Sequence, residues 1–325
     1  MAHRGPWQRA FRGCHRLRIR SGSQLTSTSE PVWEIPEPLS TSDVRVDDDT
    51  VITLRRHGNP AGPRLVLCHG SGLAIDLYYP FWSLLTDDFD LIIYDLRNHG
   101  WNAVSSLRNH NVPTFISDHD LILEAIDHHY GKKPKIGVFH SVAALTTLLS
   151  PTKGSGFSAY VLFDPPLCKR GASYEEFDAA AERLAAMTRR RTPQFRTREE
   201  LVDILPYIPT FQRVVPGVFD LVGRTTLREC ENGEGYELRC PREYEAQVVE
   251  YAAPYAVLVD FATFHCPIKV LGADPTLPYS YLPTLDLSHI LTVDYDFLPE
   301  STHLMQIEQP AECAATMREF IESLA

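Results

Sequence analysis

Short apolar segments alternate with helical patterns along most of this chain. Two segments, DVRV from Asp43 and TVITLRRHG from Thr50, alternate apolar and polar residues and predict a pair of strands joined at an acidic turn. The apolar runs that predict further strands are 64–70, 89–97, 135–141, 158–166, 267–274 and 291–298. Helical periodicity is found at 77–88, at 114–131 and at 310–324. This alternation predicts an α/β fold, with a mostly parallel twisted sheet that carries helices on both faces.

The segment 167–264 departs from this alternation. It is rich in Arg and Glu, has helical patterns at 174–190, 198–204 and 242–260, and contains prolines that separate them. We interpret it as a helical cap inserted into one core domain, whose two parts are 43–166 and 265–325.

The N-terminal segment 1–42 differs in composition from the rest. Its first 20 residues contain six arginines and no acidic residue, and residues 21–42 are rich in Ser, Thr, Pro and Glu. We expect a basic, disordered extension followed by a linker. The segment lacks the apolar core of a secretory signal. We therefore expect a cytoplasmic protein. A mitochondrial location is the alternative, because the composition also fits a mitochondrial transit peptide.

Overall composition excludes several function classes. The net charge of −11 argues against nucleic acid as a partner. No apolar run reaches about 18 residues, so we expect no stable membrane insertion, and six arginines without an apolar anchor would bind anionic membranes only weakly. The seven cysteines are scattered, without a CxxC pair or a Cys/His cluster at zinc spacing, which favours a reduced compartment and no metal. A pairing of Cys230 with Cys240 is the alternative.

The stretch GVFHSVAAL places a serine where a predicted strand meets a predicted helix. Ser141 follows the strand KIGVF and precedes Val142, where the helix begins. A serine at such a tight turn presents its hydroxyl above the carboxyl edge of a sheet. The alternative is a helix N-cap, for which serine is also favoured.

This turn resembles the nucleophile elbow of the α/β-hydrolase superfamily, G-x-S-x-G. Phe139 and Ala143 stand where the two glycines are usual. The segment Cys68–Gly72 resembles the oxyanion loop of the superfamily, which implies oxyanion donors at the backbone N–H groups of Ser71 and Val142. The turn Asp95–Gly100 resembles the D-x-R-x-x-G turn that follows the next strand, and we interpret Asp95 and Arg97 as structural there.

The resemblance also implies the order nucleophile, acid, histidine. Asp274 ends a strand after the cap, and His303 follows the last strand. The implied triad is therefore Ser141, Asp274 and His303. Asp164, in VLFDPP, also ends a strand and is the alternative acid. Asp274 could instead shape an Asp-Pro turn, and His303 could be a buried, satisfied histidine.

Residues next to the oxyanion loop and the elbow are candidates for binding substrate. They are Gly70, Gly72, Tyr78, Tyr79 and His140. The two tyrosines are our candidate pocket wall. The side chain of His140 should point away from the serine hydroxyl, which favours a structural role.

The function that the resemblance implies is hydrolysis of a carboxylic ester by a serine hydrolase, without a metal or organic cofactor. A carbon–carbon bond hydrolase is the alternative enzyme, because such enzymes often carry the HGSG loop that is present here. A non-catalytic ligand-binding homologue is the second alternative, because Phe139 could crowd the elbow. The expected partner in each case is a small molecule.

Overall fold

The computed structural model of the chain describes residues 32–168, 172–277 and 293–324. The strands are β1 (Ser40–Arg45), β2 (Val51–Gly58), β3 (Arg64–Cys68), β4 (Asp90–Tyr94), β5 (Lys135–His140), β6 (Ala159–Phe163), β7 (Gln194–Phe195), β8 (Leu227–Glu229), β9 (Tyr236–Leu238), β10 (Ile268–Gly272) and β11 (Val293–Phe297). The α-helices are α1 (Tyr79–Trp82), α2 (Val112–Tyr130), α3 (Val142–Leu149), α4 (Ala172–Thr188), α5 (Arg198–Val202), α6 (Val218–Thr226), α7 (Arg242–Glu250), α8 (Ala252–Ala256), α9 (Met305–Glu308) and α10 (Pro310–Ser323). Short 3₁₀ helices occupy Ile75–Tyr78, Ser83–Leu85, Leu107–Asn109, Leu205–Tyr207, Pro209–Phe211 and Phe261–Thr263.

The main sheet has eight strands in the order β1-β2-β4-β3-β5-β6-β10-β11. The pairs β1–β2 and β2–β4 are antiparallel, and every other neighbouring pair is parallel. The predicted α/β fold with a mostly parallel sheet is confirmed. Because the parallel strands run the same way, their carboxyl ends meet at one edge, where loops bring distant residues together.

The central strands are buried on both faces, as their apolar runs predict. All five residues of β3, β4, β6 and β10 are buried. Alternate residues of one strand enter different cores: Leu65 and Leu67 belong to one apolar cluster, and Val66 belongs to the other. The sheet is thus held between two layers of helices.

The helix expected at 77–88 is broken into three short helical segments. The four-residue α1 lies between two 3₁₀ helices, and Pro80 occupies its first turn. Proline has no N–H to bond to the preceding turn, so it can start a helix but cannot continue one.

The segment between β6 and β10 contains α4 to α8 and also a three-stranded antiparallel sheet, β7-β9-β8, that the sequence pattern does not indicate. The single helical pattern at 242–260 is divided into α7 and α8. Pro254 lies in α8 and cannot donate to the carbonyl of Glu250, which explains the break.

The described end of the expected linker packs against the rest of the molecule. The indole N–H of Trp33 donates to the carbonyl of Pro216 at 2.9 Å, and the guanidinium of Arg224 donates to the carbonyl of Trp33 at 2.7 Å. The described end of the expected linker is therefore attached to the inserted segment at Trp33. The expected basic extension lies outside the described residues.

Two further expectations concern cysteines and membranes. The six cysteines in the described ranges are all free thiols, including Cys230 and Cys240, so the alternative disulfide between these two is wrong.

None of the helices in the described ranges combines the length and the apolar character that a bilayer crossing requires.

Candidate active site

Ser141 stands at a strained turn between β5 and α3. Its backbone has φ 53° and ψ −122°, and its N–H donates to the carbonyl of Phe163 at 2.9 Å. A side chain in this region of φ costs free energy, and such strain concentrates at functional sites. Ser141 occupies the N-cap position of α3, as the alternative interpretation has it, but its hydroxyl makes no cap hydrogen bond and is left for another partner.

Phe139 does not crowd the turn. Its ring is fully buried and packs on His119, Phe157 and Tyr160, within the apolar cluster on one face of the sheet. A Cβ on Gly137 would lie 2.5 Å from this ring. The residue that must stay small beside the Phe139 ring is therefore Gly137, in the strand. No residue of the turn itself has to make room for the ring.

His303 joins the serine to an acidic residue. Its Nε2 lies 3.0 Å from Ser141 Oγ, and its Nδ1 lies 2.6 Å from Asp164 Oδ2. With the Nδ1 proton directed at the carboxylate, Nε2 carries the lone pair that faces the hydroxyl. This is the arrangement in which an imidazole takes a proton from a serine.

Asp164 is held in place by its own backbone and by β10. It follows β6, has φ 39°, and its N–H donates to the carbonyl of Leu271 at 2.7 Å. Its other carboxylate oxygen, Oδ1, accepts from the N–H of Ala273 at 3.1 Å. Only 2% of the residue is exposed. One oxygen therefore anchors the carboxylate, and the other is directed at the imidazole.

Asp274 does not occupy the acid position, which corrects the triad implied by the sequence. Its Oδ1 accepts from the N–H and the hydroxyl of Thr276, and its Oδ2 accepts from the N–H of Glu300 at 2.8 Å. These bonds, with that from the Thr276 hydroxyl first, lower the pKa of its carboxyl below the usual range. Asp274 thus joins the end of β10 to the loop that leads to His303, and Asp164, the alternative acid, contacts the histidine.

The loop after β3 lies directly against the serine. A Cβ on Gly70 would lie 2.9 Å from Ser141 Cβ and 2.8 Å from His140 Nδ1, so only glycine fits there. The next residue in this loop is Ser71. On the other side of the serine, Val142 opens α3, and the first N–H groups of a helix have no intrahelical acceptor. The two backbone groups expected to bind an oxyanion thus belong to segments that flank Ser141.

Tyr78 and His140 form a hydrogen-bonded relay, which we define as Gly70, Tyr78, His140 and the carbonyl of His303. Nε2 of His140 lies 2.8 Å from the carbonyl of His303, so it must bear the proton. Its Nδ1 then accepts from the Tyr78 hydroxyl at 2.6 Å, and that hydroxyl accepts from the N–H of Gly70 at 3.3 Å. Burial lowers the pKa of His140 far below its usual range, which keeps the ring neutral. The relay connects three of the four segments that supply the site, namely the loop after β3, the elbow and the His303 loop, and Asp164 lies on the fourth.

The relay corrects the expected substrate-binding roles of these residues. Tyr78 and His140 are buried, and their polar atoms are occupied by the relay. Tyr79 packs between Trp33 and Trp82. Tyr78 is therefore tied to the framework by its bonds, and the structural role expected for His140 agrees with its bonds. A place for Tyr79 in a pocket wall stays a prediction.

Gly72 contacts both the core and the inserted segment. Its N–H donates to Nε2 of His99 at 2.9 Å, and a Cβ there would meet the carboxylate of Glu245 at 2.5 Å. Glu245 lies in α7 and is paired with Arg191 at 2.7 Å. The oxyanion loop is thus held between the core and the inserted segment.

The turn after β4 is structural, as expected. Asp95 accepts from the N–H of Ile75 at 2.8 Å and from Arg55 at 3.0 Å. Arg97 binds both carboxylate oxygens of Asp118 at 2.5 and 2.6 Å.

Sequence reasoning missed one group that supports the histidine loop. The buried carboxylate of Glu308, in α9, accepts from the N–H of Thr302 at 2.6 Å and from its hydroxyl. This pair fixes the residue before His303. No motif marks it, because the two residues have ordinary types at an ordinary spacing.

Comparison with known families agrees with this geometry. The sequence model of the alpha/beta hydrolase family matches residues 65–316, which include the serine, the histidine and both candidate acids. A search of curated protein sequences gives no significant match.

Solved structures share the fold at low sequence identity. E-2-(acetamidomethylene)succinate hydrolase superposes with a TM-score of 0.69 at 15% identity, covering 87% of this chain and 99% of that one. The thioesterase domain from the curacin biosynthetic pathway gives 0.65 at 13% identity, covering 86% and 99%. A thermophilic esterase from Thermogutta terrifontis gives 0.61 at 16% identity, covering 88% and 99%. These likenesses establish the fold alone.

Proposed function

This chain belongs to the alpha/beta hydrolase family, and from that membership and the geometry of its site we propose that it is a serine hydrolase that cleaves carboxylic esters of small to medium size through an acyl-enzyme. The observation that carries the proposal is the line of contacts from Ser141 Oγ to His303 Nε2, at 3.0 Å, and from His303 Nδ1 to Asp164 Oδ2, at 2.6 Å.

In the first half of the reaction, His303 Nε2 takes the hydroxyl proton as Ser141 Oγ attacks the ester carbonyl. Asp164 holds the imidazole in the required tautomer and stabilises its charged form. The backbone N–H groups of Ser71 and Val142 donate to the oxyanion, and each such donor contributes about 10²–10³ in rate. His303 then protonates the leaving alcohol.

In the second half, His303 takes a proton from water as the water oxygen attacks the acyl-enzyme carbonyl. His303 returns this proton to Ser141 Oγ as the bond from Oγ to the acyl carbon breaks and the acid leaves. Every group named belongs to a segment that the relay or the bonds of Asp164 hold in place. Such preorganisation is what electrostatic stabilisation of a transition state requires.

The alternative enzyme, a carbon–carbon bond hydrolase, draws on the same triad and on the HGSG loop at residues 69–72. The non-catalytic alternative has lost its motivating observation, since Phe139 packs away from the turn. The neighbours' names include a thioesterase as well as an esterase, so thioesters belong in the same test.

The experiment is a substrate screen with wild type and Ser141→Ala. Turnover of p-nitrophenyl esters that disappears in the variant supports the proposal. Hydrolysis of ring-fission-type diketones with no ester turnover would favour the carbon–carbon hydrolase, and turnover that persists in Ser141→Ala would overturn the assignment of the nucleophile.

The two candidate acids provide a matched pair of variants. We expect Asp164→Asn to lower kcat by about 10⁴, because the imidazole loses the partner that sets its tautomer. Asp274→Asn should keep most of the activity, since this residue contacts Thr276 and Glu300 and not the imidazole. Equal losses in the two variants would contradict the assignment of Asp164.

A further inference from the structure

A second group of polar side chains lies beside the oxyanion loop. His99 follows β4, His110 precedes α2, and Cys240 precedes α7 of the inserted segment. One ligand atom from each of the three lies within 4.8 Å of the other two, and all three residues are buried. Two residues of the connection between β4 and α2 and one residue of the inserted segment therefore converge on one point.

His110 presents an unused nitrogen in this cluster. Its Nδ1 lies 2.8 Å from the amide nitrogen of Asn98, and its Nε2 is buried and, within the described ranges, has no hydrogen-bond partner. The residue is fully covered. Buried polar atoms are almost always paired, so an unpaired ring nitrogen points to a ligand that is not a side chain.

His99 is oriented as metal-binding histidines usually are. Its Nδ1 donates to the carbonyl of Arg97 at 2.8 Å, which leaves the lone pair on Nε2. This lone pair accepts from the N–H of Gly72 at 2.9 Å. The rings of His99 and His110 stack, with centroids 5.5 Å apart.

We infer that His99, His110 and Cys240 form a binding site for a zinc-class divalent cation, held by two imidazole nitrogens and one thiolate, with water in the fourth position. Imidazole and thiolate are the ligands that zinc and cobalt(II) prefer, in tetrahedral geometry. In this class of site each ligand atom lies about 2.0–2.3 Å from the ion. The three ligand atoms here lie within 4.8 Å of one another, so small shifts of the side chains would let all three contact one ion.

Loading the site moves two protons. The thiol of Cys240 releases its proton to solvent as the metal–sulfur bond forms. The proton on His110 Nε2 moves to Nδ1, and the amide of Asn98 turns its oxygen toward the ring to accept it. That turn breaks the bonds by which this oxygen accepts from the N–H and the hydroxyl of Ser105, at 2.6 and 3.0 Å. These rearrangements oppose binding, so we expect weaker affinity than at a site whose ligands are already free.

Loading also changes the oxyanion loop. The ion takes the lone pair of His99 that now accepts from Gly72, and Gly72 follows Ser71 directly. The N–H of Gly72 loses its acceptor, so the loop shifts and acylation of Ser141 slows. This consequence rests on the proposed function, whereas the metal site itself does not.

The test is a titration of the full chain with cobalt(II), followed by the thiolate-to-cobalt charge-transfer absorption. We expect one equivalent of cobalt to produce the band in wild type and in Cys313→Ser, which removes another buried thiol, outside the cluster. Cys240→Ser should lose the band. No band in wild type, or a band that survives in Cys240→Ser, overturns the site.

A second variant covers the possibility that Cys240→Ser fails to fold. His110→Asn keeps a polar atom facing Asn98 and removes Nε2, so it should fold and bind cobalt at least tenfold more weakly. Unchanged affinity in this variant overturns the site. Fluorophosphonate labelling of wild type, with and without zinc, then tests the coupling: slower labelling that Cys240→Ser abolishes supports it, and equal labelling overturns it.

Discussion

The backbone of Ser141 is the reason why we propose this residue, and not another serine, as the nucleophile. Its φ of 53° places it at a turn where a side chain is disfavoured, and the same turn directs Oγ to within 3.0 Å of the histidine. Strain of this kind costs about 1–3 kcal/mol and persists only where the surroundings impose it.

The strain at Ser141 predicts that a residue suited to positive φ would raise the free energy of unfolding while removing the hydroxyl needed for activity. Ser141→Gly should have a free energy of unfolding about 1 kcal/mol higher than Ser141→Ala, because glycine adopts positive φ at little steric cost. Both variants should be inactive. Denaturant unfolding of the two proteins measures the difference, and a glycine variant less stable than the alanine variant would show that the turn is not strained.

Gly70 should tolerate no side chain. In Gly70→Ala the new Cβ would lie 2.9 Å from Ser141 Cβ and 2.8 Å from His140 Nδ1, so the loop must move. We expect kcat to fall by about 10²–10³, since a displaced loop no longer donates to the oxyanion. Steady-state kinetics measure the loss. The control is Gly131→Ala, at a position with positive φ but open space around it, which should affect stability and leave kcat unchanged.

The choice of acid shows where sequence reasoning reaches its limit at the residue scale. The resemblance to the α/β-hydrolase superfamily implied Ser141 and His303, and the two side chains are in contact. Asp164 and Asp274 both follow strands, and those strands, β6 and β10, are neighbours in the sheet. The sequence does not specify which carboxylate faces the imidazole, because that depends on loop geometry at the sheet edge.

At the scale of elements, the relay unites three segments that the chain supplies separately. The sequence predicts β3, β5 and the loop carrying His303, but it contains no signal that Tyr78 and His140 connect them. The broken helix at 75–85 is the reason: a continuous helix at 77–88 would not present the Tyr78 hydroxyl in the same way. Proline within a helical pattern was the available clue.

Because Tyr78 belongs to the relay, we expect Tyr78→Phe to be less stable and less active than wild type. Removing the hydroxyl leaves His140 Nδ1 buried without a donor, at a cost of about 1–3 kcal/mol in stability. The loop carrying His303 then loses support, and we expect kcat to fall about tenfold while KM changes little.

Tyr79→Phe is the matched control, since Tyr79 packs on tryptophans and takes no part in the relay. Stability and kinetics are measured on both variants. An unchanged kcat in Tyr78→Phe, with the expected loss of stability, would confine the relay to a structural role.

At the scale of the whole molecule, the alternation of strands and helices was enough to predict the parallel sheet. It could not give the strand order, which depends on which edges pair in three dimensions. It also missed the small sheet in the inserted segment, whose strands have two or three residues each. Strands this short leave no periodic signal.

Buried histidines make the fold sensitive to acid. Burial lowers the pKa of His57 and of His119 to about 4, and that of His110 to about 3. Below pH 6.5 these histidines are protonated in the unfolded chain but stay neutral in the folded protein. The free energy of unfolding therefore falls as pH falls from 6.5 toward 4. Each ring contributes about 1.4 kcal/mol per pH unit in that window.

A single variant isolates one ring of the three. His119→Gln should flatten the dependence of unfolding free energy on pH by about 1.4 kcal/mol per unit between pH 6 and 4.5. Urea unfolding at several pH values gives both slopes. Identical slopes in the variant and the wild type would mean that His119 is already protonated in the folded protein.

Ser141 is, in our proposal, an activated nucleophile whose base is His303 and whose orienting acid is Asp164. The most direct measurement is labelling by a fluorophosphonate probe, with mass spectrometry of the adduct, in wild type, Ser141→Ala, Asp164→Asn and Asp274→Asn. We predict an adduct on Ser141 in wild type and in Asp274→Asn, none in Ser141→Ala, and strongly slowed labelling in Asp164→Asn. A folded wild-type protein that the probe does not label at Ser141 would contradict the account.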